Sequence, residues 1–168
     1  IMAGSPCPVE LMKRVTQQMG AREITIGYGQ TEASPLITQT RTDDPIELRV
    51  GSIGRTIPGV EAKIVDPVTG AELGDNQAGD LCSRGHNVML GYYRAENPGV
   101  LEPPENGWHD TGDIVTIDAQ GFVIIRGRAK RFAKIGGEMV SLAMIEAALA
   151  DYHPPHLHAV IATPDERK

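Results

Sequence analysis

The stretch DIVTIDAQGFVIIRG, residues 113–127, contains two short apolar runs, DIVTID and FVIIRG, on either side of the turn residues AQG. Short runs rich in β-branched residues and bounded by Gly or Asp are typical of β-strands joined by turns. Upstream, VEAKIVD (60–66) and GDLCSRG (79–85) repeat this pattern. The sequence therefore predicts a small β-rich unit over residues 50–129.

The segment before this unit has a helical pattern followed by a strand pattern. Between Pro8, which suits a first helical turn, and Gly20, which suits a helix end, apolar residues recur at helical spacing. They are Leu11, Met12, Val15 and Met19. EITIG (23–27) then predicts a buried strand that leads into the polar loop YGQTEAS (28–34). The end of such a strand is a usual place for ligand-binding groups in α/β proteins.

The segment after the β-rich unit changes pattern again. Ser141 is a good N-cap residue, and Leu142, Ile145 and Leu149 follow at helical spacing. LHAVIAT (157–163) predicts a further strand. The whole chain is therefore predicted to belong to the mixed α/β class.

Composition and charge restrict the class of protein. Of 168 residues, 40% are hydrophobic, and 16 basic against 22 acidic residues give a net charge of −6. This balance argues against nucleic acid as the principal partner. Cys7 and Cys82 lack C-x-x-C spacing, which favours reduced thiols and a cytoplasmic location. Neither end resembles a natural terminus, so we expect the chain to be an internal piece of a longer protein.

YGQTE (28–32) is the first of three polar clusters that could carry chemistry. Thr31 could donate a hydrogen bond to a phosphate oxygen, and Glu32 could ligate Mg²⁺, which prefers oxygen ligands. On spacing alone, an ordinary turn with a solvated Glu32 is the better interpretation.

GWHDTGD (107–113) and GRAKRFAKIGGE (127–138) are the other two clusters. In the first, Asp110 and Asp113 lie on a Thr-Gly turn, and a carboxylate held there suits the two hydroxyls of a ribose. The alternative is a hairpin feature packed under Trp108, while His109 would at most line a cleft. In the second, Arg128 suits phosphate or sugar oxygens, and the alternative is an exposed basic loop.

Taken together and in this order, the motifs resemble those of the ANL superfamily of adenylate-forming enzymes. The resemblance is to fatty-acyl-CoA synthetases and acyl-[acyl-carrier-protein] synthetases in particular, and it extends over essentially the whole chain. It rests on AGSP (3–6), YGQTE (28–32), GDLCSRGHNVMLGYY (79–93), GWHDTGD (107–113) and GRAKRFAKIGGE (127–138).

The resemblance implies an α/β fold of mixed α+β type in three parts. Residues 1–49 would end the α/β part of a large AMP-binding domain. Residues 50–129 would form a small, distorted β-barrel subdomain. Residues 130–168 would begin a small, mobile α+β C-terminal domain.

The resemblance also implies a binding site for ATP and AMP. Tyr28 would stack on the adenine, Asp113 would hold the ribose, and Arg128 would contact ribose and phosphate. The complete set implied for the nucleotide is Gly4, Ser5, Pro6, Tyr28, Gly29, Gln30, Thr31, Asp113 and Arg128.

Catalytic roles are implied for Thr31 at the α-phosphate, for Glu32 as the Mg²⁺ ligand, and for Lys134. Lys130 falls at the hinge about which the C-terminal domain would swing. The loop that this swing would bring to the acceptor thiol contains Lys134, Gly136 and Gly137.

The implied chemistry has two steps. A carboxylate, from a fatty acid or a related acid, attacks the α-phosphorus of ATP and releases pyrophosphate, with Mg²⁺ as cofactor. A pantetheine thiol, of CoA or of holo acyl carrier protein, then attacks the acyl-AMP and releases AMP. The expected location is cytoplasmic, with peripheral association with a membrane as an alternative.

The motifs do not determine whether CoA or an acyl carrier protein supplies the acceptor thiol. IMAGSPCPVELMKRV (1–15) and TRTDDPIELRVGSIGR (40–55) are similar to acyl-CoA synthetases. EMVS (138–141), and Arg131 at a usually acidic position, resemble the acyl-carrier-protein branch instead. Arg131 could contact an acidic carrier protein or simply point to water.

The 168-residue chain by itself is expected to be inactive. Its sequence contains neither the phosphate loop nor the adenylation lysine that the resemblance implies for the family. We therefore expect no release of pyrophosphate from ATP and fatty acid by the purified chain, and such release would contradict this prediction. The alternative, from another functional class, is a non-catalytic nucleotide-binding or interaction module. Nucleotide binding that does not depend on Asp113 or Arg128 would favour this alternative.

Overall fold

The computed structural model describes residues 1–4, 7–93, 95–96, 99–135, 138–152 and 158–163. At positions 134, 135, 138, 139, 150 and 151 it describes the backbone alone. The helices and strands of this part of the chain are α1 (Val9–Met19), β1 (Gly27–Tyr28), β2 (Thr38–Gln39), α2 (Ile46–Gly51), β3 (Arg55–Thr56), β4 (Val60–Val65), β5 (Gly79–Gly85), β6 (Tyr92–Tyr93), β7 (Leu101–Glu102), β8 (His109–Ile117), β9 (Val123–Arg128), β10 (Phe132–Ile135), β11 (Glu138–Ser141) and α3 (Leu142–Tyr152).

A four-stranded antiparallel sheet, in the order β4-β5-β8-β9, forms the centre of the fold. The predicted hairpin is confirmed: β8 and β9 pair from Ile117 opposite Val123 back to Asp113 opposite Arg128. The Asp118 carboxylate stabilises the turn by accepting the N–H groups of Gln120 and Phe122 at 2.9 Å. One face of the sheet is buried through Ile64, Leu81, Val115 and Val123.

The mixed α/β class is confirmed, but the barrel detail is not. Within the described ranges, the central sheet is open, with β4 at one edge and β9 at the other. The β9 edge is bonded instead to the chain just before β3. Ile53 N–H donates to the Val123 carbonyl, and Val123 N–H donates to the Gly54 carbonyl, both at 2.9 Å. These two bonds join the central sheet to a second sheet in the order β1-β2-β3.

The first part of the chain confirms its predicted helix and shortens its predicted strand. Helix α1 begins after Pro8 and ends at Gly20, whose φ of 67° is left-handed, as expected at a helix C-terminus. Ladder pairing with β2 starts only at Gly27, because Ile26 pairs with Met2 in an isolated parallel bridge and donates its N–H to a side chain. Met2 N–H donates to the Thr25 carbonyl, and Ile26 N–H donates to Thr40 Oγ1, both at 2.8 Å.

The last part of the chain confirms its helix but not its strand. Ser141 Oγ accepts the Met144 N–H at 3.3 Å, as predicted for the N-cap of α3. The strand predicted over 157–163 is wrong for the described residues 158–163, which pair with no strand there. Val160 N–H instead donates to Glu146 Oε1 at 2.7 Å, and its carbonyl accepts from Arg131 at 3.3 Å. The three domain boundaries stay predictions.

The helices that the structure describes are short. None of them combines the length and the apolar character that a membrane-crossing helix requires.

Asp80 on β5 makes the stability of the fold depend on pH. Its side chain is buried, and Oδ1 has no hydrogen-bond partner among the described residues. Burial, followed by the charges of Asp110, Asp113 and Asp66, raises the pKa of Asp80 to about 6. Because the folded protein binds this proton more tightly than the unfolded chain does, the free energy of unfolding falls as the pH rises from about 4 to about 6.

Asp80→Asn is therefore expected to stabilise the protein at neutral pH. The gain in unfolding free energy should grow from about 0.5 kcal/mol at pH 4 to about 3 kcal/mol at pH 7.5. Urea unfolding of the wild type and the variant at both pH values measures this gain. Asp43→Asn, on an exposed segment, is the control for the loss of one negative charge. An equal gain at both pH values would contradict the prediction.

Candidate functional site

The Asp113 carboxylate is the centre of the candidate site. Its side chain is only 6% exposed, and it accepts two hydrogen bonds and forms one ion pair. Tyr28 Oη donates to Oδ2 at 2.6 Å, Gln30 Nε2 donates to the same oxygen at 3.1 Å, and Arg128 Nε lies 2.9 Å from Oδ1. The structure thus brings together four residues that the sequence predicted for one site.

Strand pairing explains how these side chains meet. Asp113 and Arg128 are directly opposite each other on β8 and β9, and Tyr28 is the last residue of β1. Gln30 follows β1 and is anchored to β8 by a second bond from Nε2 to the Thr111 carbonyl at 2.7 Å. The site therefore lies where the three-stranded sheet meets the end of the central hairpin.

The surroundings of Tyr28 keep its hydroxyl protonated, and hydrogen-bond donors surround the Asp113 carboxylate. Burial first, and then the hydrogen bond to Asp113, raise the pKa of the Tyr28 hydroxyl. A carboxylate has about four lone-pair sites, of which the two on Asp113 Oδ2 accept hydrogen bonds, while the Arg128 guanidinium lies against Oδ1. Binding both hydroxyls of a ribose would therefore require one present donor to move, and Arg128, with a side chain 62% exposed, is the most accessible.

Glu32 forms the second part of the site. It lies in a 3-10 turn, Thr31–Ala33, and its carbonyl accepts the Met89 N–H at 2.8 Å. Its Oε1 accepts the Tyr92 hydroxyl at 2.8 Å. A hydrogen bond from its own backbone N–H, followed by that from Tyr92, lowers the pKa of Glu32, so the carboxylate is ionised near neutral pH.

An ionised carboxylate at this place fits the Mg²⁺ ion that the motifs imply. Mg²⁺ usually binds through one or two carboxylates together with phosphate oxygens and waters. In the described part of the chain there is no group of three or more His, Cys, Asp or Glu side chains that could cage a metal. Glu32 would therefore have to share the ion with a phosphate ligand.

Two contacts of the site have no signal in the sequence. The Tyr92 hydroxyl meets a carboxylate 60 positions away, and His109 Nε2 lies 3.0 Å from Gln30 Oε1, 79 positions away. The sequence predicted only that His109 would line a cleft. Trp108, expected to pack, has two cations over its ring: Lys63 Nζ at 4.5 Å and the Arg84 guanidinium at 4.6 Å from the ring centroid.

Several predicted residues are not brought into this cluster. Thr31 and Gly4 are exposed, and Lys130 is exposed on a 3-10 turn directly after Arg128. Lys134 lies on β10 opposite Met139, where only the backbone is described. Ser5, Pro6, Gly136 and Gly137 lie outside the described residues. The roles implied for all of them stay predictions.

Arg131 does not simply point to water. Its guanidinium forms an ion pair with Glu146 of α3 and donates to the Val160 carbonyl at 3.3 Å. Hydrogen bonds from Arg131 and then from the Val160 N–H lower the pKa of Glu146. The arginine therefore ties residue 160 to α3, which is a structural role within this part of the chain.

Comparison with known families and proteins gives concordant matches. The family model described as "AMP-binding enzyme" matches residues 1–93. YngI of Bacillus subtilis (strain 168), named provisionally as an acyl-CoA synthetase, is 45% identical over 168 residues, covering 99% of this chain and 30% of YngI. The mitochondrial medium-chain acyl-CoA ligase ACSF2 of Danio rerio is 39% identical, covering 99% of this chain and 28% of ACSF2. The chain thus spans less than a third of the length of these relatives.

Two solved structures of similar fold contain a nucleotide. ATP-bound MatB from Rhodopseudomonas palustris superposes with a TM-score of 0.70 at 32% identity, covering 88% of this chain and 29% of MatB. O-succinylbenzoate coenzyme A synthetase (MenE) from Bacillus subtilis, in complex with ATP and magnesium ion, gives a TM-score of 0.72 at 28% identity. That match covers 98% of this chain and 33% of MenE.

Proposed function

Because the chain belongs to the family of AMP-binding enzymes, we propose that the full-length protein is an ATP-dependent, AMP-forming acid–thiol ligase. Its substrate would be a fatty acid or a related carboxylate. The observation that carries the proposal is the buried Asp113 carboxylate, which contacts two other motifs, through Tyr28 and Gln30 of YGQTE and through Arg128 of GRAKRFAKIGGE. The names of the relatives, acyl-CoA synthetase and acyl-CoA ligase, support the same reaction class.

In this proposal, Asp113 holds the ribose of ATP. A buried carboxylate fixed by several donors is pre-organised for ribose hydroxyls, since it loses little freedom on binding. Arg128 would leave Asp113 in part and contact a phosphate, because its exposed guanidinium can reach either group. The ring of Tyr28, whose hydroxyl is held by Asp113, would lie along the adenine.

Glu32 is proposed to hold the magnesium ion of the ATP complex. The Tyr92 hydroxyl and the Met89 N–H keep the carboxylate and its backbone in place. Bound Mg²⁺ would neutralise phosphate charge during attack of the carboxylate on the α-phosphorus. Thr31, at the start of the same turn, would donate its hydroxyl to an α-phosphate oxygen.

CoA is proposed as the acceptor in preference to an acyl carrier protein. The relatives that bear CoA ligase names support it, and the engagement of Arg131 with Glu146 takes away the main support for a carrier contact. The second step would follow rotation about Lys130, which lies just after the last strand of the central sheet. That rotation would bring Lys134, Gly136 and Gly137 toward the site.

The proposal is tested with the full-length protein, ATP, MgCl₂ and short-, medium- and long-chain fatty acids. We expect pyrophosphate release that requires a carboxylate, followed by thioester and AMP formation when CoA is added. Parallel reactions with holo acyl carrier protein compare the two acceptors. Release of ADP and phosphate would contradict the reaction class, and nucleotide binding without any carboxylate-dependent turnover would favour a non-catalytic module.

A further inference from the structure

His109 is a buried residue in the site that the chemistry described above does not use. It is the first residue of β8, opposite Ser83 of β5, and the residue is 8% exposed. Its Nε2 atom lies 3.0 Å from Gln30 Oε1. Which of these two atoms donates depends on the orientation of the Gln30 amide.

The surroundings of Gln30 determine that orientation. Gln30 Nε2 has two N–H donors, and it lies 2.7 Å from the Thr111 carbonyl and 3.1 Å from Asp113 Oδ2, which are both acceptors. With the amide reversed, Oε1 would face these two oxygens and both hydrogen bonds would become repulsions. The amide nitrogen therefore faces β8, and Oε1 faces His109.

The Gln30 oxygen is only an acceptor, so the hydrogen in its contact with His109 has to come from the imidazole. We propose that His109 is a positioning residue for the nucleotide, which holds Gln30 through an Nε2–H donor and so maintains the orientation of the Asp113 carboxylate. The neutral imidazole is accordingly the Nε2–H tautomer. This inference rests on the proposed function, because it takes Asp113 to be the ribose ligand.

The contact acts on Asp113 through a single chain of hydrogen bonds. Gln30 supplies one of the two donors to Asp113 Oδ2, and the other is the Tyr28 hydroxyl. The terminal torsion of a glutamine is broad, and without His109 the Gln30 amide is held only from its nitrogen side, so its donor to Asp113 is less well fixed. An Asp113 carboxylate with fewer fixed donors is less well organised for the nucleotide.

Three variants of the full-length protein separate this role from simple packing. His109→Phe keeps a planar ring but removes the donor. His109→Gln restores an N–H near the position of Nε2. His86→Phe, at an exposed histidine outside the cluster, is the matched control for replacing a histidine by an apolar ring.

We expect His109→Phe to raise the Kd for AMP and the KM for ATP by about tenfold, the effect of one lost hydrogen bond. The KM for the fatty acid should stay within about twofold of the wild-type value, and kcat at saturating ATP within about threefold. His109→Gln should restore most of the AMP affinity, and His86→Phe should not change it. Equal losses in His109→Phe and His109→Gln, or a changed fatty-acid KM with an unchanged ATP KM, would overturn the proposal.

The tautomer supplies a readout that does not depend on activity. In ¹⁵N-labelled protein at a pH where the ring is neutral, the proposal requires a protonated Nε2 and an unprotonated Nδ1 at His109. A protonated Nδ1 would overturn the proposal even if the wild-type protein proved to be an active ligase. Conversely, a wild-type protein without carboxylate-dependent pyrophosphate release would contradict the proposed ligase function, while the AMP affinities and the tautomer still decide the role of His109.

Discussion

Asp113→Ala is expected to lower kcat/KM for ATP of the full-length protein by at least about 100-fold. Hydrogen bonds to a charged group contribute about 1.5–3 kcal/mol each, and 1.4 kcal/mol corresponds to a factor of ten. Loss of two bonds to a ribose would therefore exceed two orders of magnitude. The substitution also leaves Tyr28, Gln30 and Arg128 without their common acceptor, which adds disorder at the same place. Initial rates of pyrophosphate release against ATP concentration measure the effect.

Asp110→Asn is the matched control for this prediction. Asp110 is three residues away on the same strand, is exposed, and accepts the Gly112 N–H at 2.8 Å, a bond that Asn can keep. Its kcat/KM for ATP should stay within about threefold of the wild-type value. Thermal unfolding of both variants shows whether the protein is folded. A folded Asp113→Ala protein with near wild-type kcat/KM would remove Asp113 from the nucleotide site.

Gly29→Ala is expected to destabilise the protein by at least about 3 kcal/mol, the upper part of the range for overpacking. A Cβ atom at this position would overlap the Pro35 carbonyl oxygen and would lie 2.7 Å from the Pro35 carbonyl carbon and 2.9 Å from Leu36 Cα. These are backbone atoms, so no rotation of a side chain can relieve the overlap. The loop that carries Gln30 would have to move, and urea unfolding would show a lower midpoint.

Gly51→Ala is the control for adding a methyl group to a glycine. Gly51 is the last residue of α2, and a Cβ atom there meets nothing within 4 Å. Alanine is favoured over glycine in helices by up to about 1 kcal/mol, so this variant should be as stable as the wild type or slightly more stable. If both variants unfolded at the wild-type urea concentration, the close approach of Gly29 to Pro35 would be contradicted.

The fold was predictable wherever the signal is local. The turn between β8 and β9, the end of α1 at Gly20 and the start of α3 after Ser141 all depend on residues within a few positions of one another. The strand predicted over 157–163 failed because its central backbone groups bond to the side chains of Arg131 and Glu146. An apolar run cannot indicate that such partners exist elsewhere in the chain.

The sequence by itself determined the mixed α/β class, the central hairpin and the motifs that carry Tyr28, Glu32, Asp113 and Arg128. Periodicity and turn chemistry act between near neighbours, and motifs are written in consecutive residues, so both are readable without a structure. Only the tertiary structure decided that His109 meets Gln30, that Tyr92 meets Glu32, and that Arg131 meets Glu146. These pairs are 79, 60 and 15 positions apart. Their contacts depend on strand register and loop path, which place distant side chains together and leave no trace in the local pattern.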